Sequence, residues 1–287
     1  MSRPPFLDLP SCARAYRLAT ARGEFAVHDA RPDGPVRGTA LLVPGFTGSK
    51  EDFLPLLAPL ATAGYRAVAV DGRGQHESPG PRDEQAYVQG ELARDIAAQA
   101  AALDAGPVHL LGHSLGGLLA RAAVLDDASP YRSLTLMSSG PAAVAPEQQA
   151  RAKMLIDALQ TLTMEAVWQA MRDLDPPEAA GETTPPEVAE FLHRRWLGTV
   201  PEQLIGTARQ IAGEPDRVAA LAAVPLPKHV LSGAVDYAWP VPQLDEMAER
   251  LGAHRTVVAG AEHSPNVDRP EETAAALVAF WDGADGR

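Results

Sequence analysis

The sequence predicts an α/β protein, a doubly wound and mostly parallel sheet with a helical cap insertion. Three observations predict it. Short β-branched or aliphatic runs alternate with segments of helical period. Those runs are apolar almost throughout, as strands covered on both faces are. One long stretch, 141–227, breaks the alternation and carries helical pattern with no convincing strand.

In chain order, AYRLAT (15–20) and EFAVHDA (24–30), joined by Ala21–Arg22–Gly23, read as an opening antiparallel hairpin. TALLVPG (39–45), YRAVAVDG (65–72), VHLLGH (108–113) and SLTLMSS (133–139) read as buried strands. KHVLSG (228–233) and RTVVAG (255–260) complete the set. Helical period marks 50–63, 84–104, 115–126, 240–252 and 271–282.

The chain therefore divides into 1–140 and 228–287, the two parts of the α/β core, around an insertion at 141–227. Within the insertion, DPPEAAGETTPPE (175–187) reads as a Pro/Gly join between two helical pieces placed over the sheet. Met154, Met164, Trp168, Met171, Phe191 and Trp196 either line an apolar cleft there or glue the insertion to the main domain.

Bulk properties exclude several classes. With 46% hydrophobic residues, the 287-residue chain can bury a substantial core. A net charge of −12 and no Lys/Arg run argue against a nucleic-acid or anionic-membrane partner. Cys12 is the only cysteine, so no intrachain disulfide forms, and no motif around it suggests a thiol nucleophile. The N-terminal stretch lacks an apolar signal core, and no run approaches the ~18 apolar residues of a membrane span. A cytoplasmic protein is expected. Zinc and nucleotide motifs are missing too: there is no H-E-x-x-H, no Cys/His cluster and no G-x-x-x-x-G-K-[ST]. Neither metal nor cofactor is expected.

The chemistry-bearing motif is Gly112–His113–Ser114–Leu115–Gly116–Gly117, between the strand VHLLGH and an apolar-periodic helix. A reactive serine must stand clear of the backbone on a tight strand-to-helix turn. Glycines two residues either side leave room for that turn. The helix that follows aims its first amides at developing negative charge, and the Leu115 amide is expected to be one oxyanion donor.

GHSLGG in this setting, preceded by the strand-end loop VPGFTGS (43–49), resembles the α/β-hydrolase superfamily, nearest to its cap-bearing bacterial serine esterase-like members. The resemblance runs from the opening hairpin to the final helix. It implies that the second oxyanion donor is the amide of Phe46, after Gly45, with the Phe46 ring flooring an acyl pocket. Pro44 stands where the commonest family form has a histidine. A backbone donor does not depend on that side chain.

A base for Ser114 should come from a loop at the C-terminal edge of the sheet, after a late strand. RTVVAGAEHSPNVDRPEE supplies His263 there, and the order Ser–acid–His supports it. KHVLSGAVDYAWP places Asp236 just beyond the preceding strand, the acid position the resemblance implies, with Asp245 or a plain Asp turn as alternatives. The other usual acid position, after SLTLMSS, holds Ser138–Ser139–Gly140–Pro141 and no carboxylate. His113 reads as packing beside the nucleophile, and His76 as an altered loop contact near the site mouth, where the family form is Gly-His-Gly-x-Ser. His28, His109, His193, His229 and His254 read as structural.

Serine at position 114 points to esters, thioesters, lactones or related acyl groups. The expected partner is a small-molecule ester-type substrate. A carboxylesterase comes first, a thioesterase or lactonase second, and a non-catalytic ligand-binding protein on the same fold third.

Overall fold

Apolar runs become strands where a parallel sheet can bury both their faces. The computed structural model describes residues 2–173 and 184–286. Eight strands form one sheet: β1 (Ala13–Thr20), β2 (Gly23–Ala30), β3 (Gly38–Val43), β4 (Tyr65–Val70), β5 (Val108–His113), β6 (Tyr131–Met137), β7 (Lys228–Gly233) and β8 (His254–Val258). Their spatial order is β1-β2-β4-β3-β5-β6-β7-β8. β1 and β2 make the expected antiparallel hairpin, and β2 is antiparallel to β4. From β4 onward every neighbouring pair is parallel.

Eleven α-helices stand among the described residues: α1 (Leu54–Thr62), α2 (Gln89–Ala102), α3 (Leu115–Asp126), α4 (Pro146–Thr161), α5 (Met164–Asp173), α6 (Pro186–Gly198), α7 (Pro201–Gly213), α8 (Val218–Ala222), α9 (Val241–Leu251), α10 (Pro265–Asp268) and α11 (Pro270–Ala284). The period-2 alternation of strands sorts the core into two layers. Leu41, Val43, Val68, Val70 and Leu110 pack with α2, α3 and α9. Ala40, Leu42, Ala67, Ala69 and Leu111 pack with α1 and α11 on the opposite face. Helices on both faces define the doubly wound α/β class.

Three local departures have physical causes. The segments 50–63 and 84–104 each begin with a 3₁₀ turn, Lys50–Phe53 and Glu84–Tyr87, before the α-helix starts. In the second, Val88 is extended at φ −63 and ψ 149, which separates the turn from α2. β8 is not buried: it is the last strand of the sheet, has one neighbour, and leaves Val257 47% exposed. An apolar run cannot report which strand ends up at an edge.

Between β6 and β7 lie α4 to α8, with no strand among the described residues of 141–227. The Pro/Gly join at 175–187 lies, up to residue 183, outside the described residues. Trp168, Phe191, Leu192, Trp196 and Leu204 form a buried cluster within these helices, with Met164 and Met171 at its margin. Met154 instead faces outward, 60% exposed. Val218 and Leu221 of α8, and Ala208 and Ile211 of α7, join the main core. The later helices of the stretch are thus continuous with the α/β body. No helix among the described residues is long and apolar enough to cross a membrane.

Candidate active site

Ser114 occupies the turn between β5 and α3 with φ 55 and ψ −119. A non-glycine residue held there costs about 1–3 kcal/mol, and such strain persists where surrounding structure enforces it. Enforcement comes from both sides of the turn. A Cβ on Gly112 would lie 2.2 Å from the Gly116 carbonyl oxygen, and one on Gly116 2.3 Å from that of Val43. Only glycines let these backbones close around the serine. The Ser114 N–H donates to the Met137 carbonyl at 2.9 Å, which ties the turn to β6.

His263 follows β8 and is buried. Its Nδ1–H donates to Asp236 Oδ1 and Oδ2, both at 2.9 Å, and its Nε2 accepts from Ser114 Oγ at 3.1 Å. Asp236 Oδ1 also accepts the Ala238 and Trp239 N–H groups at 2.8 and 3.1 Å, which fixes the carboxylate in its turn. A carboxylate facing Nδ1 leaves the Nε2 lone pair directed at the serine, the tautomer a base requires. Tyr237 lies with its ring centroid 4.7 Å from the His263 ring. Asp245 pairs with Arg255 at 2.8 Å on an exposed surface and takes no part in this chain.

His113 does more than pack beside the serine. It is fully buried, and its Nε2–H donates to the His263 carbonyl at 2.8 Å. Burial, and next the neighbouring His263, lower its pKa from 6.5 to about 4. It therefore holds the loop of His263 as a neutral donor at neutral pH.

The loop after β3 runs alongside Ser114, since a Cβ on Gly45 would lie 3.1 Å from Ser114 Cβ. Thr47 has φ 58, a second strained position. Leu115 is the first residue of α3, so its amide has no intrahelical acceptor. The Phe46 amide donates in none of the loop's hydrogen bonds among the described residues. The Phe46 ring packs against both the main core and the helical cluster of α4–α7.

Several braces around this loop escaped the sequence. Gln75, in the family's usual histidine position, donates from Nε2 to the Gly45 carbonyl at 3.1 Å and accepts the Gly72 N–H at 2.9 Å. Buried Lys50 is within 3.0 Å of Asp71, 2.8 Å of Glu51 and 2.9 Å of Glu77. Asp52 meets Arg195 of α6 at 2.7 Å. The one available signal was local: Lys50, Glu51 and Asp52 open an otherwise apolar helix, and charges that fold inward need partners. His76 does make a loop contact: its ring meets Phe191 edge-on at 5.5 Å, and its N–H donates to Thr199 Oγ1 at 3.2 Å. Ser138, at the vacant acid position, is itself strained at φ 47. No group of three or more His, Cys, Asp or Glu among the described residues could hold a metal ion.

Ser114, strained on a strand–turn–helix, thus stands in one hydrogen-bonded chain with His263 and Asp236. The chain belongs to the alpha/beta hydrolase family, which it matches over residues 40–276. It is 36% identical over 107 residues to a putative carbamate hydrolase of Variovorax paradoxus, covering 37% of this chain and 40% of the relative. The match thus spans less than half of that relative. Among solved structures it resembles a hydrolase from Pseudomonas aeruginosa, at a TM-score of 0.76 and 24% identity over 93% of this chain and 98% of that one. A thermophilic esterase from Thermogutta terrifontis gives 0.75 and 22%, over 95% and 99%. Both show the fold.

Proposed function

We propose that this chain is a serine hydrolase that cleaves a carboxylic ester of a small or medium apolar substrate through an acyl-enzyme on Ser114. The observation that carries this reading is the Asp236–His263–Ser114 chain, with contacts of 2.9 and 3.1 Å, on a turn that strains the serine. Ser114 Oγ attacks the acyl carbonyl while His263 Nε2 takes its proton, and Asp236 stabilises the imidazolium. The Phe46 and Leu115 amides hold the oxyanion, each contributing about 3–4 kcal/mol of transition-state stabilisation. His263 then protonates the departing alcohol. Water, deprotonated by the same histidine, adds to the acyl-enzyme and releases the acid. The α4–α7 helices act as a cap, and their apolar cluster, continuous with the Phe46 ring, supports an apolar acyl group.

A second reading is a carbamate as substrate, favoured by the stretch shared with the Variovorax relative. Carbamates, thioesters and lactones present the same electrophilic carbonyl to the same residues, so a substrate panel separates them. The mechanism is tested by intact-protein mass spectrometry after exposure to a p-nitrophenyl phosphonate, with Ser114→Ala alongside. One adduct on the wild type and none on the variant is expected. An adduct that persists in Ser114→Ala would move the nucleophile elsewhere, and a folded wild type that never labels would favour a binding role.

A further inference from the structure

One buried ion pair joins the helical insertion to the loop beside the nucleophile. Arg195, on α6, donates from Nη1 to Asp52 Oδ1 at 2.7 Å, and both side chains are 1% exposed. The same guanidinium donates from Nη2 to the Ser2 carbonyl at 2.8 Å and lies over the Phe191 ring at 5.4 Å. Asp52 is the focus of the loop. Its Oδ2 accepts the Ser49 N–H at 3.3 Å, and its main-chain carbonyl accepts Asn266 Nδ2–H at 2.6 Å. Asn266 stands three residues beyond His263, so Asp52 touches the loop of Phe46, the loop of the base and the insertion at once.

A buried ion pair adds little net stability compared with apolar packing of the same volume, so its effect here is geometric. Asp52 in turn constrains Gly48, whose Cβ, if present, would lie 2.6 Å from Asp52 Oδ2. The Gly48 N–H closes back on the Gly45 carbonyl at 3.1 Å, one residue before Phe46. From these contacts we infer that Arg195 is a positioning residue: through Asp52 it sets the Gly45–Phe46 backbone, so the insertion tunes oxyanion stabilisation as well as covering the substrate. The inference rests on the serine-hydrolase reading above. It predicts that loosening α6 lowers the acylation rate without changing substrate affinity.

The test compares wild type, Arg195→Met and Arg195→Lys, each first shown folded by circular dichroism. Two readouts are taken: the rate of Ser114 labelling by the p-nitrophenyl phosphonate, with kcat and KM on p-nitrophenyl butyrate, and amide hydrogen exchange of residues 44–53. Arg195→Met is expected to label about 10–100-fold more slowly, the scale of a small misplacement of catalytic groups. KM should stay within about twofold and exchange at 44–53 should quicken, with Arg195→Lys intermediate because it keeps the charge and loses the fork. Should Arg195→Met fail to fold, Arg195→Lys carries the same comparison. A folded variant that labels at the wild-type rate with unchanged exchange overturns the inference and leaves the serine reading intact. A wild type that never labels removes the serine reading and this inference together.

Discussion

Replacing Asp236 by asparagine exchanges one carboxylate oxygen for an NH₂ group in a side chain with no solvent exposure. Oδ1 is committed to the Ala238 and Trp239 N–H groups at 2.8 and 3.1 Å, which only an oxygen can accept. The amide nitrogen must therefore take the place of Oδ2, 2.9 Å from His263 Nδ1. That NH₂ competes with Oδ1, which also lies 2.9 Å from Nδ1, and wherever the NH₂ donates to Nδ1 the imidazole carries its proton on Nε2. Nε2, 3.1 Å from Ser114 Oγ, can then no longer accept the serine proton. A wrong tautomer of this kind lowers kcat by about 10⁴ in serine proteases, equivalent to about 5 kcal/mol of barrier. Because the turn bonds survive, the fold should survive. The assay is kcat on p-nitrophenyl butyrate for Asp236→Asn and wild type, with thermal melts to confirm folding. An Asp236→Asn protein within tenfold of wild type would refute the tautomer argument and place the orienting role elsewhere.

Further perturbations test other parts of the structure. Gly116→Ala drives a Cβ to 2.3 Å from the Val43 carbonyl oxygen and should destabilise the protein by about 3 kcal/mol, read from the urea midpoint; an unchanged midpoint would contradict the close packing. His113→Leu removes the donor to the His263 carbonyl, and a loss of about 1–3 kcal/mol with reduced kcat and steady KM is expected, whereas unaltered kcat would make His113 a packing residue only. Stability should also fall in acid. Burial lowers His28 and His113 from 6.5 to about 4 and His229 to about 3, so below pH 6.5 the unfolded chain takes up protons that the native state refuses. This stability is fully present above 6.5 and drains away as pH falls toward the folded values, by about 3 kcal/mol for His113 alone. Urea unfolding at a series of pH values would show it, and a flat profile between pH 4 and 6.5 would rule it out.

Much of this architecture could be read from the chain because its signals are local. VHLLGH forms a strand because its residues are apolar on both faces, and GHSLGG turns sharply because two glycines remove the Cβ atoms that would collide. Asp236 and His263 were legible because each follows an apolar run late in the chain, and such runs deliver their next residues to one edge of a parallel sheet.

What the sequence by itself determined, then, was the class of sheet, the elbow and the residues delivered to its edge. Only the tertiary structure decided which of those residues meet. Ser114 and His263 are 149 positions apart, and their 3.1 Å contact depends on β8 lying three strands beyond β5. Arg195 and Asp52 are 143 apart, and no pattern around either names the other. The same holds for Gln75 at the Gly45 carbonyl, for Met154 turning outward from α4, and for β8 becoming an edge. Backbone preference and hydrophobic period act over a few residues, whereas these contacts are selected by how whole elements pack, where buried charges and carbonyls must find partners wherever the chain brings them.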